Sequence, residues 1–96
     1  MAFTAEEAKA IGEKLGLKWD KFDVDQFKKG MEVELEHGSR DSLTNVTNGD
    51  PLMTGKIALA HLNEFPDYYK RLEVMEKEAE KYHKIIKQEP VKRLWR

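Results

Sequence analysis

Apolar residues recur at three- and four-residue intervals along most of this chain, and that spacing predicts helices rather than strands. Ala8, Ile11 and Leu15 make a first stripe, and Phe27, Met31 and Leu35 a second at a spacing of four. Ile57, Ala58, Leu62 and Phe65 make a third, and a fourth runs through Tyr69, Leu72, Met75 or Val74, Ala79, Tyr82 and Ile86. The residues flanking the stripes set their limits. Thr4 with Glu7, and Asp23 with Gln26, have the spacing of capping boxes, in which side chain and backbone at a helix start satisfy each other reciprocally. Gly16 is placed to end the first helix in a left-handed conformation, with Leu17 folding back on the last turn. Gly38 is expected to stop the second. Asp50-Pro51 starts the third, the aspartate as cap and the proline at the first helical position, where its missing N–H costs nothing. Pro66 ends that helix and opens the next, and Glu89-Pro90 closes it. The expected fold is all-α, a single small domain of four helices over about 4–15, 24–37, 51–64 and 66–88. The domain is expected to span residues 1–89, with 90–96 as a basic C-terminal tail.

Between these elements three features stand out. Ser39 to Gly49 is rich in hydroxyls and amides that compete for backbone hydrogen bonds, so it reads as a long loop between helices 2 and 3. Trp19 and Phe22 fall in a short connector, where large aromatics plug the open end of a small core. Gly30, inside a helix, costs about 1 kcal/mol relative to alanine. It therefore marks the close approach of another helix or of a bulky side chain.

Composition narrows the setting. At 96 residues there is room for one core, and with 40% apolar and 36% charged residues the chain is a soluble globular protein. The formal net charge of −1 gives no overall electrostatic footprint for nucleic acid. It is unevenly spread, since residues 80–96 carry a net +4 and residues 1–79 a net −5, so the tail could touch an acidic partner. Cysteine is absent, which rules out disulfides and thiolate chemistry and favours the cytoplasm. No stretch approaches the roughly 20 apolar residues of a membrane span, and no secretory leader is expected. The Asn45-Val46-Thr47 sequon carries little weight in that setting.

Two polar residues break the stripes. At about 100° per residue, Thr54, Ile57, Ala58, Leu62 and Phe65 share a face with His61, so its imidazole is expected to point inward. Likewise Glu34 sits with Phe27, Gly30, Met31 and His37, while Glu32 and Glu36 point away. Glu34 and His37 are spaced i,i+3 on one helix, as are His61 and Glu64 on the next. Two antiparallel helices could bring all four to one point, a ligand set suited to one divalent metal such as zinc. It is not a di-iron set, because the second pair is reversed and the outer helices add no carboxylate to their stripes. The plainer reading is a buried network with no cofactor, in which Glu34 accepts from His61 or from a tyrosine hydroxyl. A general-base role is the weakest, since no nucleophile, phosphate-binding glycine loop or oxyanion donor set accompanies the pair.

Asp67, Tyr68 and Tyr69 form a further polar cluster at a helix start, one ring expected in the core and one at its edge. His83 lies among Lys81, Lys84 and Lys87 and reads as part of a solvated face. Lys92-Arg93-Leu94-Trp95-Arg96 is a weak nucleic-acid signal, and Leu94 and Trp95 could dock on the domain.

The segments Gly30 to Gly38, Thr44 to Asn48 and Ile57 to Tyr69 resemble an uncharacterised bacterial and phage protein family known only as a domain of unknown function. The similarity covers roughly residues 10 to 76 and rests on a V-E-x-E-H and an A-x-x-H-L-x-E-x-P-x-Y-Y segment. Glu34, His37, His61, Glu64, Asp67 and Tyr69 match the motif positions. The resemblance implies that the site is one unit and offers no activity or cofactor to transfer. The expected function is a small cytoplasmic, non-enzymatic structural or interaction module, with a protein partner or a second copy of itself as binding partner. The alternatives are a one-metal protein and a nucleic-acid accessory protein acting through the tail.

Overall fold

The first three helices begin where a side chain can satisfy their first free N–H groups. Thr4 Oγ1 accepts from Glu7 N at 3.1 Å while Glu7 Oε1 accepts from Thr4 N at 2.8 Å, and this starts α1 (Ala5–Lys14). Asp23 and Gln26 repeat the exchange at 2.8 and 2.9 Å to start α2 (Val24–Ser39). Asp50 Oδ1 accepts from Leu52 N at 2.9 Å ahead of α3 (Pro51–Glu64). Phe65 is extended, a turn through Pro66 and Asp67 follows, and α4 is Tyr68–Lys87. These elements belong to a computed structural model that describes the backbone of residues 3–87 and the side chains of residues 3–82. The tail at 90–96, with Leu94 and Trp95, and the side chains of His83 and Ile86 lie outside the described residues.

The described residues form four helices and no strand. Two boundaries differ by two residues from the sequence expectation. Gly38 does not stop α2, which runs on to Ser39. Gly38 is buried against Asn45 Oδ1 and Thr47 Oγ1, and Ser39 Oγ donates to the carbonyls of Leu35 and Glu36 at 2.9 and 3.2 Å, which supports the extra residues. Pro66 does not open α4, because the extended Phe65 and the turn after it delay helical backbone until Tyr68.

The centre is Phe27, Met31, Ala58 and Leu62, where α2 and α3 face each other, with Ala8 of α1 against them. Leu17 folds back as expected, its N–H reaching Gly12 O at 2.9 Å after Gly16 at φ +80°. A Cβ at Gly55 would stand 2.6 Å from Ile11 Cγ2, so α1 and α3 approach through that notch. Phe22 is buried and stacks on Phe27, and the partly buried Trp19 meets both rings edge-on. Trp19 is held at φ +61°, a conformation that costs a bulky residue of order 1–3 kcal/mol. The indole seats over Gly12, where no Cβ could fit.

The expected stripe of α4 is wrong in its second half. Val74, Met75 and Tyr82 are 57%, 55% and 62% exposed, and the residue turned inward is Glu76, at 5%. The first half explains the shift. A Cβ at Gly30 would lie 2.6 Å from Tyr69 Cε2, so the Tyr69 ring occupies the space that Gly30 leaves on α2. With Tyr69 fixed inward, at about 100° per residue Glu76 is rotated only about 20° from it and Met75 about 120°.

Candidate functional site

Glu34 of α2, His61 of α3 and Tyr69 of α4 meet at one carboxylate oxygen. Tyr69 donates its hydroxyl to Glu34 Oε2 at 2.7 Å, and His61 Nδ1 lies 2.9 Å from the same atom. The Nδ1 to Tyr69 Oη separation of 3.2 Å closes a triangle. Because a ring lone pair facing a carboxylate oxygen would be repelled, the network places the proton on Nδ1, which donates to Oε2. That tautomer leaves Nε2 as the acceptor. Nε2 has no hydrogen-bond partner among the described residues.

The surroundings are apolar on one side and aromatic on the other. Glu34 is 8% exposed and Tyr69 4%, whereas the His61 side chain is 32% exposed, so the pair is a buried carboxylate under a ring that reaches the surface. Tyr68 lies flat on the imidazole, with ring centroids 4.4 Å apart and planes 6° from parallel, and Tyr69 meets it edge-on. Burial pushes the Tyr69 phenol far above its ordinary range, reinforced by the Glu34 charge and by donation to it. Tyr68 moves the same way, through burial first and then the charges of Glu34 and Glu64. The Tyr69 phenol is thereby held as a hydrogen-bond donor to Glu34.

The structure joins Glu34 with His61 and adds Tyr68 and Tyr69, one ring buried and one partly so. It does not bring the four proposed ligands together. Among the described residues no three His, Asp or Glu side chains are grouped to hold a metal ion. Glu64, the last residue of α3, is exposed. His37 has its Nδ1 buried with no hydrogen-bond partner among the described residues. Asp67 stands apart from the triangle, bound to Arg71 Nε at 2.8 Å, and that guanidinium lowers its carboxyl below the usual value. The stacking of Tyr68 on His61 and, outside the triangle, the burial of Glu76 were not anticipated. The Tyr68–His61 stack needs the turn at Pro66, which the pattern does not specify, whereas Glu76 could have been found by counting seven residues on from Tyr69.

A cleft of about 330 Å³ opens on the far side of Tyr69, lined by Gln26, Lys29, Leu62, Pro66 and Lys70 among others. Neither Glu34 nor His61 lines it. Of the triangle, Tyr69 touches that cleft, and the Glu34 carboxylate and His61 imidazole do not.

No curated protein and no solved structure matches the chain. A family model does match, over residues 8–78, a span that contains α1 from Ala8, all of α2 and α3, and the part of α4 that carries Tyr68 and Tyr69. The chain belongs to the family described as "Protein of unknown function (DUF5661)".

Proposed function

We propose that this protein is a small, non-catalytic structural or interaction module of the bacterial or phage cytoplasm, in which Glu34, His61 and Tyr69 form a clasp between helices. The observation that carries this reading is the shared acceptor. One oxygen, Glu34 Oε2, takes donors at 2.7 and 2.9 Å from two different helices, so the most buried polar atoms of the site are already occupied by each other. Buried polar groups satisfied in this way fix helix register, and leaving one unsatisfied costs about 1–3 kcal/mol. The absence of cysteine and of any long apolar helix among the described residues is compatible with the setting.

A second reading, one divalent metal such as zinc at His61, draws on the partnerless Nε2. A ring whose other nitrogen donates to a carboxylate is the usual form of a metal-bound histidine. Thermal melts with and without chelator, beside elemental analysis of the same sample, separate the two. For the clasp, no metal co-purifies, the melts superimpose, and His61→Ala lowers stability by about 1–3 kcal/mol. Near-stoichiometric metal, with a melt lowered by chelator in the wild type but not in His61→Ala, would replace the clasp with the metal site.

A further inference from the structure

We propose that Asn48 is a site of spontaneous deamidation, at which the Gly49 amide nitrogen closes a succinimide on the Asn48 side chain and water reopens it to aspartate or isoaspartate. The chemistry needs an amide nitrogen free to approach the preceding carboxamide, in a backbone that can turn without unravelling a helix. The turn Thr47-Asn48-Gly49-Asp50 offers both. Asn48 and Gly49 have φ +52° and +80°, two successive left-handed residues, which is the pattern of a type I′ turn. Asp50 N donates to Thr47 O at 2.9 Å to close it.

Both residues are exposed, and a Cβ added at Gly49 would meet nothing within 4 Å. The approach to the Gly49 nitrogen is therefore open, and glycine itself adds no side chain to shield it. Its N–H is held only by Thr47 Oγ1 at 3.4 Å, beyond the usual 2.7–3.2 Å. The Asn48 carboxamide has no hydrogen-bond partner among the described residues.

The chain carries its own controls. Asn45 is followed by the β-branched Val46, and its Oδ1 is engaged by Asn48 N at 2.9 Å. Asn63 is inside α3, where the next amide belongs to a helix. Neither is followed by glycine.

The step balances without a redox partner. The Gly49 N–H proton passes to solvent base, a bond forms from that nitrogen to Asn48 Cγ, the Cγ–NH2 nitrogen takes a proton from solvent, and its bond to Cγ breaks so that ammonia leaves. Water then adds to one of the two ring carbonyls. Opening at one returns an ordinary aspartyl link, and opening at the other routes the chain through Cβ.

The two products should behave differently. Aspartate, like asparagine, visits the left-handed region, and its charge lies near the positive end of α3, so the turn survives. Isoaspartate lengthens the backbone inside a turn closed by one hydrogen bond, just ahead of the Asp50 cap. The test is peptide mapping of the full chain held at mildly alkaline pH, beside an unstructured synthetic peptide of residues 44–52. We expect conversion at Asn48 in the folded protein within about tenfold of the peptide rate, with Asn45 and Asn63 intact. The isoaspartyl form should melt below an Asn48→Asp variant. A folded-state rate further below the peptide's, equal conversion of Asn45 or Asn63, or an isoaspartyl form as stable as Asn48→Asp would overturn the proposal.

Discussion

The packing of α1, α2 and α3 differs in kind from the attachment of α4. Apart from the Glu34–His61 hydrogen bond, the first three helices meet through side chains that need no partner of a particular polarity: Phe27, Met31, Ala58 and Leu62 are almost wholly buried, and Gly12 and Gly55 open notches for Trp19 and Ile11. The fourth adds its Tyr69 anchor at Gly30, the hydrogen bond of that anchor to Glu34, the Tyr68 ring flat on His61, Leu72 against the core and the surface pair of Lys29 with Glu73 at 2.6 Å. Apolar contact is tolerant of direction, because burial is roughly proportional to area. A hydrogen bond is not, since it weakens steeply with misalignment. The three-helix part is therefore held mainly by area, and α4 depends more on orientation.

That contrast is sharpest under truncation. Phe27→Ala and Tyr69→Ala should each cost about 3–5 kcal/mol, the usual range for deleting a buried aromatic ring. Their reach should differ. Hydrogen exchange should show protection lost throughout the domain for Phe27→Ala, and lost first in α4 for Tyr69→Ala, with α2 and α3 still protected. Uniform loss in both variants would show that α4 folds as one unit with the rest.

Alkaline pH probes the same anchor with a smaller effect. Burial raises the Tyr69 pKa in the folded state, so the unfolded chain releases this proton first, near its ordinary value of 10.0. The contribution is whole below pH 10 and is lost as pH rises above it. Tyr68 adds in the same direction. A stability profile measured by denaturant melts should therefore fall above pH 10, and more shallowly in Tyr69→Phe. An identical fall in that variant would move the cause elsewhere.

The smallest effect belongs to the surface. Lys29 lowers the Glu73 carboxyl below its usual value through a hydrogen bond and its charge, but both side chains are about half exposed. Such pairs are weak and screened by salt. Lys29→Ala should shift the melting temperature slightly at low ionic strength and hardly at all at high, and a shift that persists in salt would show that α4 depends on this pair more than its exposure suggests.

Much of this molecule could be read in one dimension. The helix starts at Thr4, Asp23 and Asp50 were legible because a cap is a contact between residues two or three apart, decided before any other helix arrives. The inward turn of Glu34 and the bulky neighbour of Gly30 were legible too, since both follow from the spacing of one stripe. The failures were of another kind. Gly38 was a stop signal by composition, yet its burial against Asn45 and Thr47 kept it helical. His37 and Glu64 shared the right spacing with Glu34 and His61 without joining them, because spacing along one helix says nothing of depth at its end.

The sequence alone determined four helices, the starts of the first three, and one carboxylate and one imidazole turned inward. Only the tertiary structure decided the rotation of α4, and with it that Glu76 is buried while Met75 and Tyr82 face out. The physical reason is that α4 carries apolar residues on more than one side, so its own pattern fits several rotations. The ring of Tyr69 in the space at Gly30 selects one of them.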